Sequence, residues 1–200
     1  MRIDPVTPDD HVLREAARVL RRGGLVAFPT ETFYGLGAAA LDPVAVGRVY
    51  AIKGRPTSMP LLVLLDAPSR LAQIVDDVPA CAWTLIERHW PGPLTLVFRA
   101  AAHVPSALTA GTGTIGVRVP SHEVPRALIT HLALPVTAPS ANPTGAEPPT
   151  TADAVLAYFG DRVDLVLDAG PTAGGAPSTV LDVTVDPPRV LRHGAIRLDL

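Results

Sequence analysis

The sequence predicts an α/β fold: a twisted mixed β-sheet with helices on its faces. Three observations carry this. Apolar residues recur at helical and at strand-like spacing in alternation along the chain, the 22 prolines and 16 glycines fall mainly between those runs, and 48% of residues are hydrophobic against 18% charged. A chain of 200 residues suits one domain, spanning 1–200, with a sizeable core.

The elements follow in order. Thr7-Pro8-Asp9-Asp10 opens a helix with a capping hydroxyl, a first-turn proline and early acids. Val12, Leu13, Ala16, Ala17 and Leu20 recur on one face, while Arg14, Arg18, Arg21 and Arg22 lie mostly off it as a solvated surface. Gly23-Gly24 ends this helix, and Leu25-Val26-Ala27-Phe28 reads as a buried strand. Asp42-Pro43 starts a second helix that runs to about Ile52 and buries Val46, Val49 and Tyr50. Residues 61–65 form a strand and 79–89 a helix. Strands follow at 94–98, 115–119 and 135–138, with a helix over 123–132 before the last. Thr150 and Thr151 are placed to cap a short helix ending at Phe159, and 163–167, 179–183 and 189–191 complete the sheet.

Several function classes are excluded. No apolar run approaches the roughly 18 residues of a membrane span, and the opening Met-Arg-Ile-Asp-Pro carries no signal-peptide core, which predicts a cytoplasmic protein. The single cysteine, Cys81, lies in an apolar segment and reads as an inert core residue. The six histidines form no ligand-spaced pair, so no zinc site is expected, and no GxSxG elbow or Ser/His/Asp set offers a hydrolytic nucleophile. A net charge of −2, and no basic stretch interleaved with aromatics, argue against a nucleic-acid-binding module. The basic residues are sixteen arginines and one lysine, Lys53. In so Arg-biased a chain, a compact ammonium on a flexible stem stands out.

Polar residues concentrate in three loops. Pro29-Thr30-Glu31-Thr32-Phe33-Tyr34-Gly35-Leu36-Gly37 follows a buried strand, where open α/β sheets bind ligands. Lys53-Gly54-Arg55-Pro56 ends a helix; its two cations converge on one polyanion if Gly54 turns the chain, or serve only the helix dipole. Thr137-Ala138-Pro139-Ser140-Ala141-Asn142-Pro143-Thr144-Gly145 follows a strand, and its small residues with Ser and Asn leave room for a flat polar group, though both residue types are ordinary turn formers. Arg118 sits among aliphatics in Ile115-Gly116-Val117-Arg118-Val119, and Arg192 follows Val190-Leu191. A strand arginine so placed needs an internal ion pair or an anionic ligand.

In order along the chain, the segment 29–37, Lys53-Gly54-Arg55-Pro56, Pro60-Leu61, Trp90-Pro91-Gly92-Pro93-Leu94-Thr95, Gly116-Val117-Arg118-Val119-Pro120, Pro139-Ser140-Ala141-Asn142 and Ser178-Thr179-Val180 resemble the signature of the YrdC-like family. The best-known members are L-threonylcarbamoyladenylate synthases. The resemblance implies a concave, positively lined cleft and an enzyme, a nucleotidyltransferase. That enzyme joins L-threonine, bicarbonate or CO2, and ATP into threonylcarbamoyl-AMP and pyrophosphate, the first step toward threonylcarbamoyladenosine in tRNA. It implies Lys53 and Arg55 as catalytic contacts to the ATP phosphates. Thr114, Ser140, Asn142 and Arg192 would complete the ATP site, and Thr32, Arg118 and Ser178 would hold L-threonine. It implies Mg2+ bound mainly through the phosphates, and tRNA or the downstream threonylcarbamoyl-transfer complex as further partners. Met59 and Leu64 depart from the Asn and His common in the family. The ending near Arg197 resembles the short form without an extra C-terminal domain. The alternatives are a carbamoyltransferase module forming another carbamoyl adenylate, and a non-catalytic protein binding double-stranded RNA or tRNA.

Overall fold

The computed structural model describes residues 1–198; the last two positions of the domain expected over 1–200 lie outside the described residues. The first helix, α1 (Asp10–Arg21), buries the five residues expected of it. Thr7 does not cap it. The Asp4 carboxylate accepts the N–H groups of Val6 and Thr7, each at 2.8 Å, so Thr7 belongs to a turn before the helix, and the N-cap position falls to Asp9, whose side chain makes no capping bond. Next come β1 (Val26–Phe28), β2 (Gly35–Gly37), α2 (Pro43–Lys53), β3 (Leu62–Leu64), α3 (Ala80–His89) and β4 (Leu94–Arg99). The chain continues through α4 (Ser106–Thr109), β5 (Thr114–Arg118), α5 (Glu123–Leu132), β6 (Val136–Thr137), α6 (Ala152–Phe159), β7 (Leu165–Val166), β8 (Thr179–Asp182) and β9 (Arg189–Arg192). Asp42 caps α2 through the N–H groups of Val44 and Ala45, and Thr151 caps α6 through that of Ala154.

The strands form two sheets where the sequence suggests one. A three-stranded sheet runs β2-β1-β7, and a six-stranded mixed sheet runs β6-β3-β5-β4-β8-β9. The division arises because 29–37 folds back as a hairpin. β2 pairs antiparallel with β1 and takes the edge at which β1 would have joined the larger sheet. Gly37 permits this fold-back: a Cβ there would lie 2.5 Å from the Phe28 ring and 2.8 Å from Val136. Among the described residues, isolated bridges, Gly35 with Ser140 and Ala39 with Val136, link the two sheets at this seam.

Alternation along the larger sheet then separates core from site. Val63, Leu96, Val117 and Leu181 point into the main hydrophobic cluster with residues of α2 and α3. A second cluster seats α1 and α5 against Val26, Phe28 and Leu64. Cys81 is exposed, contrary to its expected place in the core. The one-turn spacing of Ala82 and Ile86 directs those two inward, leaving Cys81 and Trp83 outside. Among the described residues no helix is long and apolar enough to cross a membrane.

Candidate active site

The other face of the six-stranded sheet is the floor of a cavity of about 670 Å³. Leu62 of β3, Thr114, Gly116 and Arg118 of β5, Thr95 and Val97 of β4, and Val180 of β8 alternate onto it. The walls are the loop before β2, the turn after β6 through Ser140, and the segment leading to Ser178. Of the residues singled out from the sequence, Thr32, Arg55, Thr114, Ser140, Arg118, Ser178 and Arg192 come together here. Lys53 and Asn142 are not in its lining.

Each cation is held differently. Gly54 adopts a left-handed conformation, φ 57°, and turns the chain between Lys53 and Arg55. The turn sends the two cations apart. Lys53 is the last residue on the buried face of α2 and is 3% exposed; its ammonium donates to the carbonyls of Ser140 at 2.6 Å and Asn142 at 2.5 Å. Burial, reinforced by the charge of Arg55, pulls its pKa from 10.5 to about 8. Arg55 reaches the cavity, steadied by the carbonyls of Met59 (3.1 Å) and Pro60 (2.9 Å). Met59 thus contributes its backbone, while the Leu64 side chain is fully buried in the smaller cluster, level with Arg118 on the neighbouring strand.

Arg118 is buried, with Nη1 3.1 Å from a Glu31 carboxylate oxygen. Both Glu31 oxygens and Arg118 Nε are shut off from solvent and lack hydrogen-bond partners. The ion pair left open as one reading of Arg118 is therefore present, yet the guanidinium still lines the cavity. Burial lowers its pKa and Glu31 raises it. Arg192 donates to the Ser178 carbonyl (2.9 Å) and Oγ (3.0 Å). Its pKa falls first through burial and then through the nearby charges of Arg118 and Arg55. Among the described residues neither Arg55 nor Arg192 has a carboxylate partner, so the cavity holds surplus positive charge. Such a site suits an anion with several charges.

Hydroxyls supply the remaining polarity. Ser178 Oγ lies 2.9 Å from Thr95 Oγ1, Thr32 Oγ1 lies 3.2 Å from Thr30 Oγ1, and Thr114 Oγ1 lies 3.0 Å from Thr112 Oγ1. Thr95, quoted from the sequence only as the end of the Trp90–Thr95 motif and given no role there, joins the site; a lone hydroxyl in an apolar strand was its signal. Asn142 turns its amide inward to the carbonyls of Pro143 (2.9 Å) and Ala146 (2.8 Å) and braces its own turn. Of the arginines along α1, Arg14 pairs with Asp10, Arg18 with Glu15, and Arg21 donates to the His131 carbonyl.

Known proteins resemble this chain over nearly its whole length. The model of the Sua5/YciO/YrdC family, described as telomere recombination, matches residues 18–194. A threonylcarbamoyl-AMP synthase of Pyrococcus abyssi is 44% identical over 94% of this chain and 55% of its own length. One of Bacillus subtilis is 42% identical over 96% of this chain and 56% of its own. The crystal structure of Pyrococcus abyssi Sua5 complexed with L-threonine superposes with a TM-score of 0.93 at 42% identity, over 97% of this chain and 57% of that one. The chain thus spans little more than half the length of these relatives. With the motifs in order, the two-sheet fold shared and the family model matched across 18–194, the chain belongs to the Sua5/YciO/YrdC family.

Proposed function

We propose that the cavity joins L-threonine, bicarbonate or CO2, and ATP into threonylcarbamoyl-AMP, releasing pyrophosphate. The observation that supports this most directly is the convergence of Arg55, Arg118 and Arg192 on one hydroxyl-rich cavity. In this reading Arg118 takes the α-carboxylate of threonine, with Glu31 behind it holding the guanidinium in place. Thr32 and Ser178 offer hydroxyls to the rest of the amino acid, Arg55 and Arg192 meet the phosphates, and Thr114 and Ser140 border the nucleoside. The threonine amine condenses with bicarbonate, forming a C–N bond and losing water. A carbamate oxygen then bonds to the α-phosphorus as the bond to pyrophosphate breaks. The chain's contribution is orientation and neutralisation of charge growing on phosphate oxygens. Lys53 and Asn142 act from behind the wall, fixing the turn that carries Ser140.

Mg2+ fits this scheme as part of the nucleotide substrate. Among the described residues no group of three acids, histidines or cysteines is placed to hold a metal, and the Glu31 oxygens are closed off. The phosphates themselves would carry the ion. The product is a mixed anhydride suited to tRNA threonylcarbamoyladenosine formation in the cytoplasm, passed to tRNA or a transfer complex. The purified chain with MgATP, bicarbonate and L-threonine is expected to release pyrophosphate only when all three are present. Release that ignores threonine would favour another carbamoyl adenylate, and tight RNA binding without turnover would refute catalysis.

A further inference from the structure

Gly116 stands on the cavity floor, where backbone conformation does not call for glycine and packing opposes a Cβ through one close contact alone. Its φ lies outside the left-handed region, so any residue fits the backbone there. A Cβ at this position would meet Thr95 Cγ2 at 3.3 Å, which asks that buried side chain to give by a few tenths of an ångström, and Val97 Cγ2 at 3.9 Å, an ordinary contact. Glycine weakens a strand interior, and where it persists without a bulge it marks close approach by a ligand or another backbone. Among the described residues no backbone atom comes within 4 Å of that Cβ, and the cavity lies over it.

Its neighbours say which part of a ligand lies over it. Thr114 and Arg118 flank it on the same face of β5, each about 7 Å away along the strand. Leu62 and Val97 flank it across the sheet. On the proposed function, on which this inference rests, Thr114 borders the nucleotide and Arg118 grips the amino acid. We propose that Gly116 is the saddle over which the carbamoyl–phosphate linkage forms, its missing Cβ leaving room for the carbamate oxygen and the α-phosphate to meet in line.

The test is Gly116→Ala in the full chain. Three quantities are read: dissociation constants of ATP and of L-threonine by calorimetry, turnover by pyrophosphate release, and the melting temperature. The expected result is each affinity within about threefold of the parent, with turnover down at least about 100-fold. Undiminished turnover overturns the proposal, as does loss of affinity for one substrate alone, which would assign Gly116 to a single subsite. A double variant, Thr95→Ser with Gly116→Ala, removes the methyl that the new Cβ would press while keeping the hydroxyl. If both variants melt more than about 8 °C below the parent, packing explains the glycine and the proposal falls. A parent chain that binds neither substrate refutes the proposed function instead, and is distinguished by that result.

Discussion

Replacing Lys53 by Met removes a buried ammonium while keeping a long apolar stem, and the structure fixes both the sign and the size of the effect. The group is 3% exposed and its pKa falls from 10.5 to about 8, burial being the main cause. At neutral pH the folded chain therefore carries a cost of roughly 3 kcal/mol for that charge. Against it stand two charge-assisted hydrogen bonds, to the Ser140 and Asn142 carbonyls, each worth about 1.5–3 kcal/mol. Deletion also leaves the Asn142 carbonyl unpaired, at about 1–3 kcal/mol, while the Ser140 carbonyl keeps the Asn142 N–H at 3.0 Å. The bonds win. Lys53→Met is expected to destabilise the chain by roughly 2–4 kcal/mol at pH 7 in urea unfolding. The pH dependence isolates the charge. Below pH 8 folded and unfolded chains both hold the proton and the cost is fully present. From 8 to 10.5 the unfolded chain keeps a proton that the folded chain has released, so stability rises with pH. The gap between parent and variant should widen by roughly 2 kcal/mol from pH 7 to 9.5. A gap that stays constant or narrows would show that the Lys53 pKa is not depressed, and the balance above would fail with it.

Two further substitutions separate the proposed subsites. Arg118→Ala should raise the KM for L-threonine by about 100-fold while that for ATP moves less than about threefold, as expected for loss of a bidentate carboxylate contact. It also leaves the Glu31 carboxylate buried without its cation, so a loss of roughly 3–5 kcal/mol in stability is expected by denaturant titration, relieved by adding Glu31→Gln. Arg192→Ala should do the reverse, weakening ATP by about 10- to 100-fold in steady-state kinetics with threonine little affected. Equal effects on both substrates in either variant would contradict the assignment.

What the sequence revealed depended on where the forces act. The helix over 123–132 was legible because Val124, Leu128, Ile129 and Leu132 repeat at helical spacing, and α5 spans those residues. Asp42-Pro43 marked the start of α2 through a cap that the structure forms. By contrast β2 is three residues long with two glycines, and so carries no alternation. It exists because Gly37 lets the Phe28 ring close in, a long-range fit that no local pattern records. The convergence of Arg55, Arg118 and Arg192 followed from order-of-motif resemblance, since their separation along the chain hides it from spacing. The opposite directions of Lys53 and Arg55 did not follow, because one left-handed residue between them sets the angle and its outcome depends on the 140–142 turn packed alongside.

That turn shows why the cavity wall has the shape it has. The loop before β2 is tied by backbone bonds on three sides. Leu36 N–H donates to Pro139 and Ala141 N–H to Tyr34, both at 2.8 Å; Tyr34 N–H donates to Pro149 at 2.9 Å; and Gly174 N–H donates to Thr32 at 2.8 Å. The buried Tyr34 hydroxyl adds a bond to the Gly170 carbonyl at 2.7 Å. Main-chain pairing therefore fixes where Thr32 and Ser140 stand, and side-chain packing contributes less at this seam. A wall of that kind keeps its register when a neighbouring side chain is changed, but it moves as a unit when the carbonyls are released. The Lys53 ammonium holds the Ser140 and Asn142 carbonyls, which flank Ala141 in the same turn. Its influence on chemistry is accordingly expected to travel through the position of Ser140.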